Sequence, residues 1–339
     1  MSGDGAMLGE PSRRLTGLIA LMCLGWGLGS LGALRAAPLD ELARIPVGVE
    51  PLGITATRQG DILVVVAAAS TVLRIDGQQL TIAAKLDLSQ YGRLNRVLSH
   101  PETDDVFVTA SVQGAVLRLG KGLDQVTGIA RVGGFPQGMA LLGPNLLVAL
   151  TAGQALALLE PIGMVALKAV DAGDRPTLVR HDTVNRRILV LKSTTRSIWV
   201  FDPKTLSHTG TISNPNLVRL ADMAVGPKGE ILVLDTSNDN LMILKADGTG
   251  LENTISLSAG SCTTCEAHYP MALSIHPSGT KAVVAGRSGR VSLLDLKNGT
   301  LLAEKPVGQD LRGICWGAEN RVFVTSFATG EVVVLEGLR

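Results

Sequence analysis

Seven times along this chain the same pattern of short apolar runs returns, at an interval of about 40 residues. Each unit opens with a brief apolar run and a turn of Gly, Pro, Asp or Asn type. A strongly apolar run follows, then a short polar loop and a further alternating run. The strongly apolar runs are 62–66, 106–109, 146–150, 188–191, 231–234, 282–285 and 322–325. The runs after them include 72–76, 115–119, 198–202, 241–244, 291–295 and 332–336. Marking the first core position of each opening run gives Ile54, Val97, Met139, Leu178, Met223, Leu273 and Ile314, spaced by 43, 42, 39, 45, 50 and 41 residues. The alternation runs near two residues, the period of strands, and a helical solenoid would need 3.6.

Seven units of this length, each with three or four short strands, predict an all-β fold, a seven-bladed β-propeller over residues 38–339. Apolar residues make up 46% of the chain and aromatics only 3%, so the core is Val, Leu, Ile and Ala, which suits packed sheets. The last unit runs out at Arg339 before an outer strand can form. Residues 42–48, Leu-Ala-Arg-Ile-Pro-Val-Gly, resemble residues 302–308, Leu-Ala-Glu-Lys-Pro-Val-Gly. The N-terminal strand is therefore expected to complete the last blade and close the ring.

Residues 1–37 have the layout of a secretory signal peptide: Arg13 and Arg14, an apolar run over 15–34, then Arg35-Ala36-Ala37-Pro38. An uncleaved membrane anchor is the alternative, and then the membrane is touched only through this segment. Both readings put the propeller outside the membrane, periplasmic or secreted. Gly27, Gly29 and Gly32 match the dinucleotide-binding glycine pattern but lack the flanking strand and helix it needs. Lys and Arg total 31 against 30 Asp and Glu, a balance that argues against nucleic acid as partner.

The fifth unit, Met223 to Gly248, resembles an NHL-type propeller repeat. The sixth, around His276-Pro277-Ser278-Gly279 and 291–295, is similar to the YVTN-type repeats of exported bacterial propellers. The resemblance spans 38–339 and implies the fold. It implies no single function, because such propellers include scaffolds, ligand binders, lyases, hydrolases and subunits of redox enzymes.

The widest spacing holds Cys262-Thr-Thr-Cys265-Glu-Ala-His268-Tyr269. A disulfide stapling an exported loop is the simplest reading of Cys262 and Cys265. A metal held by Cys262, Cys265 and His268, or a redox-active dithiol, are the alternatives. Glu266 stands where c-type haem attachment requires a histidine, which argues against haem. Arginines recur near the starts of the opening strands: Arg93, Arg96, Arg175, Arg219 and Arg312. Gathered with Tyr269 around one channel mouth, Arg96, Arg175, Arg219 and Arg312 would suit a carboxylate or phosphate ligand. Glu50, Asp174, Asp222 and Asp310 lie close by, so local ion pairing on a solvated rim competes with that reading. Cys315 reads as a buried inert thiol. His100, His181 and His276 read as turn residues sharing one position across blades, and Asp235, Asn238 and Asp239 as turn chemistry.

After residue 37 there is no G-x-S-x-G elbow, H-E-x-x-H or P-loop. The expectation is a non-catalytic binding or scaffold module for a protein partner or small anionic ligand. One alternative is a subunit or accessory protein of a periplasmic redox enzyme or cofactor pathway, using the Cys262, Cys265, His268 loop and the arginines. Another is a propeller lyase or lactonase, with His268, Asp222 and Asp310 as its only candidate metal holders. The residues name no cofactor.

Overall fold

The computed structural model describes residues 39–257 and 268–337. Residues 1–37, where a signal peptide is expected, and Cys262 and Cys265 lie outside the described residues. Each repeat folds into one antiparallel four-stranded sheet, and seven such sheets form a seven-bladed β-propeller. The innermost strands are Pro51–Ala56, Leu94–Ser99, Pro136–Leu142, Pro176–Asp182, Leu220–Val225, Pro270–Ile275 and Leu311–Trp316, numbered here as blades 1 to 7. The second strands are covered on both faces, which is why they read as unbroken apolar runs: every residue of Ile62–Val66 and Val106–Ala110 is buried.

The seventh blade takes its outer strand, Glu41–Pro46, from the N-terminal end, paired antiparallel with Glu331–Glu336. Ala43 faces Val334 and Ile45 faces Val332. Beyond the strand, the Leu39 amide donates to the Glu336 carbonyl at 2.8 Å, and the Glu336 amide to the Asp40 carbonyl at 2.7 Å. Lys305–Asp40 and Arg44–Glu331 ion pairs, at 3.1 and 3.2 Å, add to the clasp.

The apolar core is seven cores, one between each pair of neighbouring blades. Leu63, Val65, Val97, Val108 and Leu117 join blades 1 and 2, and Ile62, Val64, Phe323 and Val332 join blades 1 and 7. The turn between third and outer strands adds a plug to several of them. Leu123, Met164 and Leu206 adopt left-handed backbone, at φ 57°, 55° and 58°, and bury their side chains against the preceding blade. A strained backbone of this sort costs on the order of 1 kcal/mol, and burying a Leu or Met side chain returns about 1.5–3 kcal/mol, so burial wins. Asp202 supports its turn by accepting from the amides of Lys204 and Thr205 at 2.9 and 2.7 Å.

Pairing also corrects the register of blade 4. Ile54 faces Val64, Met139 faces Val148 and Leu273 faces Val284; the corresponding pair is Val179 with Val190. Val179, not Leu178, is the fourth blade's equivalent position. His181 therefore lies one place before His100 and His276, and Asp182 holds their position. Because a strand's side chains alternate, this one-residue difference changes where His181 points.

Candidate functional site

The turns that lead into the innermost strands make the front face of the ring, and the turns that leave those strands make the back face. The innermost strands of blades 1 to 4 line an open cavity of about 640 Å³. Ile54, Val97, Leu98, Met139, Leu141 and Leu178 form its apolar wall. Its polar groups are Thr55, Arg96, Arg180, His181 and Thr183. No lining residue comes from the front turns. Gly143 and Thr183 come from back turns, so the cavity opens on the back face. A smaller cavity of about 310 Å³ shares His181 and Thr183 and continues along that face to His276.

The third residue of an innermost strand explains how charge enters this wall. A Cβ on Gly53 would sit 2.7 Å from the Asn95 carbonyl, and one on Gly138 2.7 Å from the Thr177 carbonyl. The position thus abuts the next blade's backbone. Blade 5 places Asp222 there, and its carboxylate accepts from the Leu273 amide of blade 6 at 3.0 Å. The same carboxylate accepts from the Met223 amide at 2.8 Å and from Arg180 Nη2 at 3.1 Å. Asp222 is 5% exposed.

Blade 2 places Arg96 at the equivalent position. The Arg96 amide donates to Thr109 Oγ1 at 3.0 Å. Its guanidinium lines the cavity and has no hydrogen bond or ion pair among the described residues. Burial pulls its pKa below the ordinary arginine value; Asp222 opposes that fall and Arg180 adds to it. Arg180 gives Nη1 to the Val179 carbonyl at 3.1 Å and Nη2 to Asp222. Asp222 bonds Arg180 and acts on Arg96 only at a distance, so among the described residues the two guanidiniums have one carboxylate between them.

The other arginines proposed from the sequence lie elsewhere. Arg93 pairs with Glu50. Arg312 pairs with Asp310 at 2.7 Å and lies 5.1 Å from the centre of the Phe327 ring, while Arg287 holds the other oxygen of Asp310 at 3.2 Å. Arg175 and Arg219 are exposed, and none of these lines the cavity. Tyr269 is half exposed in the turn that leads into Pro270–Ile275. Of the proposed anion-binding set, Arg96 alone reaches the cavity, and its companion Arg180 escaped the sequence reading. The signal was present: Pro51, Pro136, Pro176 and Pro270 each open an innermost strand, and aligning them sets blade 4 in its true register.

His268 is buried inside blade 6, with Nε2 3.0 Å from Ser292 Oγ. Its Nδ1 is buried without a partner among the described residues. Gly286 makes room for it, since a Cβ there would lie 2.1 Å from Nδ1. Desolvation lowers the His268 pKa despite Glu304 and Asp239, which raise it; Arg290 also lowers it. Asp239 accepts from the amides of His268 and Tyr269 at 2.8 and 2.9 Å. Asp235 accepts from the amides of Val218 and Arg219 at 2.8 and 3.2 Å, so both aspartates act as turn supports. His268, Asp222 and Asp310 each have separate partners. Among the described residues no group of three His, Cys, Asp or Glu side chains is arranged to hold a metal ion. Cys315 is buried between blades 7 and 1, and burial pushes its thiol pKa far up, which keeps it protonated.

Comparison with known proteins supports the fold class. No family model and no curated protein matches the chain. Among solved structures it is similar to virginiamycin B lyase from Staphylococcus aureus, at 12% identity and TM-score 0.72, over 87% of this chain and 99% of that one. It is similar to the Kuenenia stuttgartiensis hydrazine synthase at 14% identity and TM-score 0.73, over 90% of this chain and 98% of that one. A third is the β-propeller domain of Myceliophteria thermophila Cps50 (Swd1), at 11% identity and TM-score 0.72, over 88% and 99%. At such identities the likeness extends to the propeller fold alone.

Proposed function

We infer that this protein is an exported, non-catalytic binding propeller of the YVTN/NHL-repeat kind, which holds a small anionic ligand in its central channel. One observation carries the reading: Arg96 and Arg180 meet in a largely apolar cavity with only Asp222 to balance them. An unbalanced guanidinium in a partly desolvated cavity favours an anion more than one on a fully solvated surface does. The cavity of about 640 Å³ matches small-molecule sites, which run about 300–1,000 Å³. Export rests on the layout of residues 1–37.

The test is to purify the protein from the exported fraction, denature it, and analyse the released small molecules by negative-ion mass spectrometry. The N-terminus of the same sample reports cleavage. The reading expects a near-stoichiometric anion that is lost from the folded Arg96→Met/Arg180→Met variant. Equal recovery from both proteins would contradict it. A visible chromophore or stoichiometric metal would favour the redox alternative, which rests on Cys262, Cys265 and His268.

A protein partner is the second reading. Val49, Val112, Phe135 and Tyr269, all on front-face turns, are exposed by 66, 65, 38 and 50%. Apolar side chains clustered on one face favour docking. Crosslinking in the exported fraction tests this, and Phe135→Ser/Tyr269→Ser is expected to remove the crosslinked species.

A further inference from the structure

We propose that the channel selects a single negative charge carried on an apolar body, a monocarboxylate with a hydrocarbon tail, and that Asp222 sets the charge limit. This deepens the anion-binding reading and rests on it. The charge limit follows from the way Asp222 is held. Its Oδ1 accepts from the Met223 amide and Arg180, and its Oδ2 from the Leu273 amide of the next blade. Those bonds tie it to blades 4, 5 and 6 at 5% exposure, so it stays in place behind Arg180 when a ligand arrives. Two guanidiniums and one fixed carboxylate leave room for one more negative charge. A second, held by Arg180, would lie near the Asp222 carboxylate that Arg180 already binds at 3.1 Å, and like charges repel.

The apolar body follows from the wall. A carboxylate head needs only the space between Arg96 and Arg180, yet the cavity extends past Ile54, Val97, Met139 and Leu178 to its back opening. Planar guanidiniums suit a planar carboxylate, and the aliphatic wall suits a hydrocarbon tail. A bare inorganic anion would leave that wall in contact with water.

The experiment is calorimetric titration at pH 7.5 with acetate, hexanoate, hexyl sulfate and hexyl phosphate. Hexyl sulfate and hexyl phosphate share a tail but differ in charge, because a phosphate monoester with its second pKa near about 6 is mainly a dianion at this pH. Hexanoate is expected to bind at least about ten-fold more tightly than acetate, given the apolar area it buries. Hexyl sulfate is expected to bind about ten-fold more tightly than hexyl phosphate, and the isosteric Asp222→Asn change is expected to erase that preference. Hexyl phosphate binding as tightly as hexyl sulfate to the unaltered protein overturns the charge limit, whether or not the variant folds. Preference persisting in a folded Asp222→Asn protein removes Asp222 as its cause. Acetate matching hexanoate overturns the apolar body. The underlying reading fails separately, if no anion binds or if binding survives Arg96→Met/Arg180→Met.

Discussion

On the front rim Arg93 has Glu50, and Arg287 and Arg312 divide Asp310 between them. In the channel Arg96 and Arg180 have only Asp222, which two backbone amides also claim. The residue types are the same, and the carboxylates differ in access to water: the Asp222 side chain is 7% exposed, against 22% for Asp310 and 29% for Glu50. A rim pair is screened and exchanges freely with solvent, so its net worth is about 0–1 kcal/mol. In the channel, desolvation holds Arg96 below its ordinary pKa, and this imbalance is what the proposed anion would relieve. The rim arginines are matched by local carboxylates, and the channel arginines are the ones the proposed function rests on.

The sharpest way to break this contrast is to delete one carboxylate from each region. Asp222→Ala strands Arg180 and the amides of Met223 and Leu273, and is expected to cost about 3–5 kcal/mol in urea unfolding. Asp310→Ala on the rim is expected to cost about 1 kcal/mol or less. Similar losses at both sites would end the distinction.

Arg96→Met sharpens it from the other side. Replacing an unpaired, half-buried guanidinium with an apolar side chain is expected to stabilise the ligand-free protein by about 1 kcal/mol while it weakens anion binding. A drop in ligand-free stability would mean that Arg96 already has a counter-charge.

His268 differs from Arg96 in being able to shed its charge. Its folded pKa lies below the unfolded one, so the unfolded chain binds the extra proton between the two values. Stability should therefore fall as pH drops below about 6.5, the unperturbed histidine value. His268→Gln should flatten that slope in unfolding experiments across pH 4–8. An unchanged slope would place the titration elsewhere.

The smallest effect is expected from the exposed arginines. Arg175→Ala and Arg219→Ala should each change stability by no more than about 0.5 kcal/mol and leave anion affinity unaltered.

Much of the ring could be read directly from the residues. Strand alternation is local and repeats visibly, and the turns at Asp76, Asp202 and Asp295 are local too, each carboxylate accepting from amides two and three residues on. The closing strand announced itself because residues 42–48 copy an outer strand elsewhere. The cavity did not, because it depends on residues of different blades meeting across the axis. Arg96 and Asp222 occupy equivalent places in blades 2 and 5, yet nothing near either residue points to the other. Arg180 was hidden by a single-residue slip at Leu178, since a strand shifted by one presents its opposite face. The left-handed plugs at Leu123, Met164 and Leu206 break a local backbone preference for the sake of a neighbouring blade, which a local reading cannot anticipate.

The most direct test of the channel assignment is a crystal of the protein grown with 6-bromohexanoate, read by the bromine anomalous signal. The account predicts one strong peak inside the cavity among Ile54, Val97, Met139 and Leu178, with the carboxylate density between Arg96 and Arg180. A peak beside Arg175 or Arg219, with the channel holding only water, would contradict it.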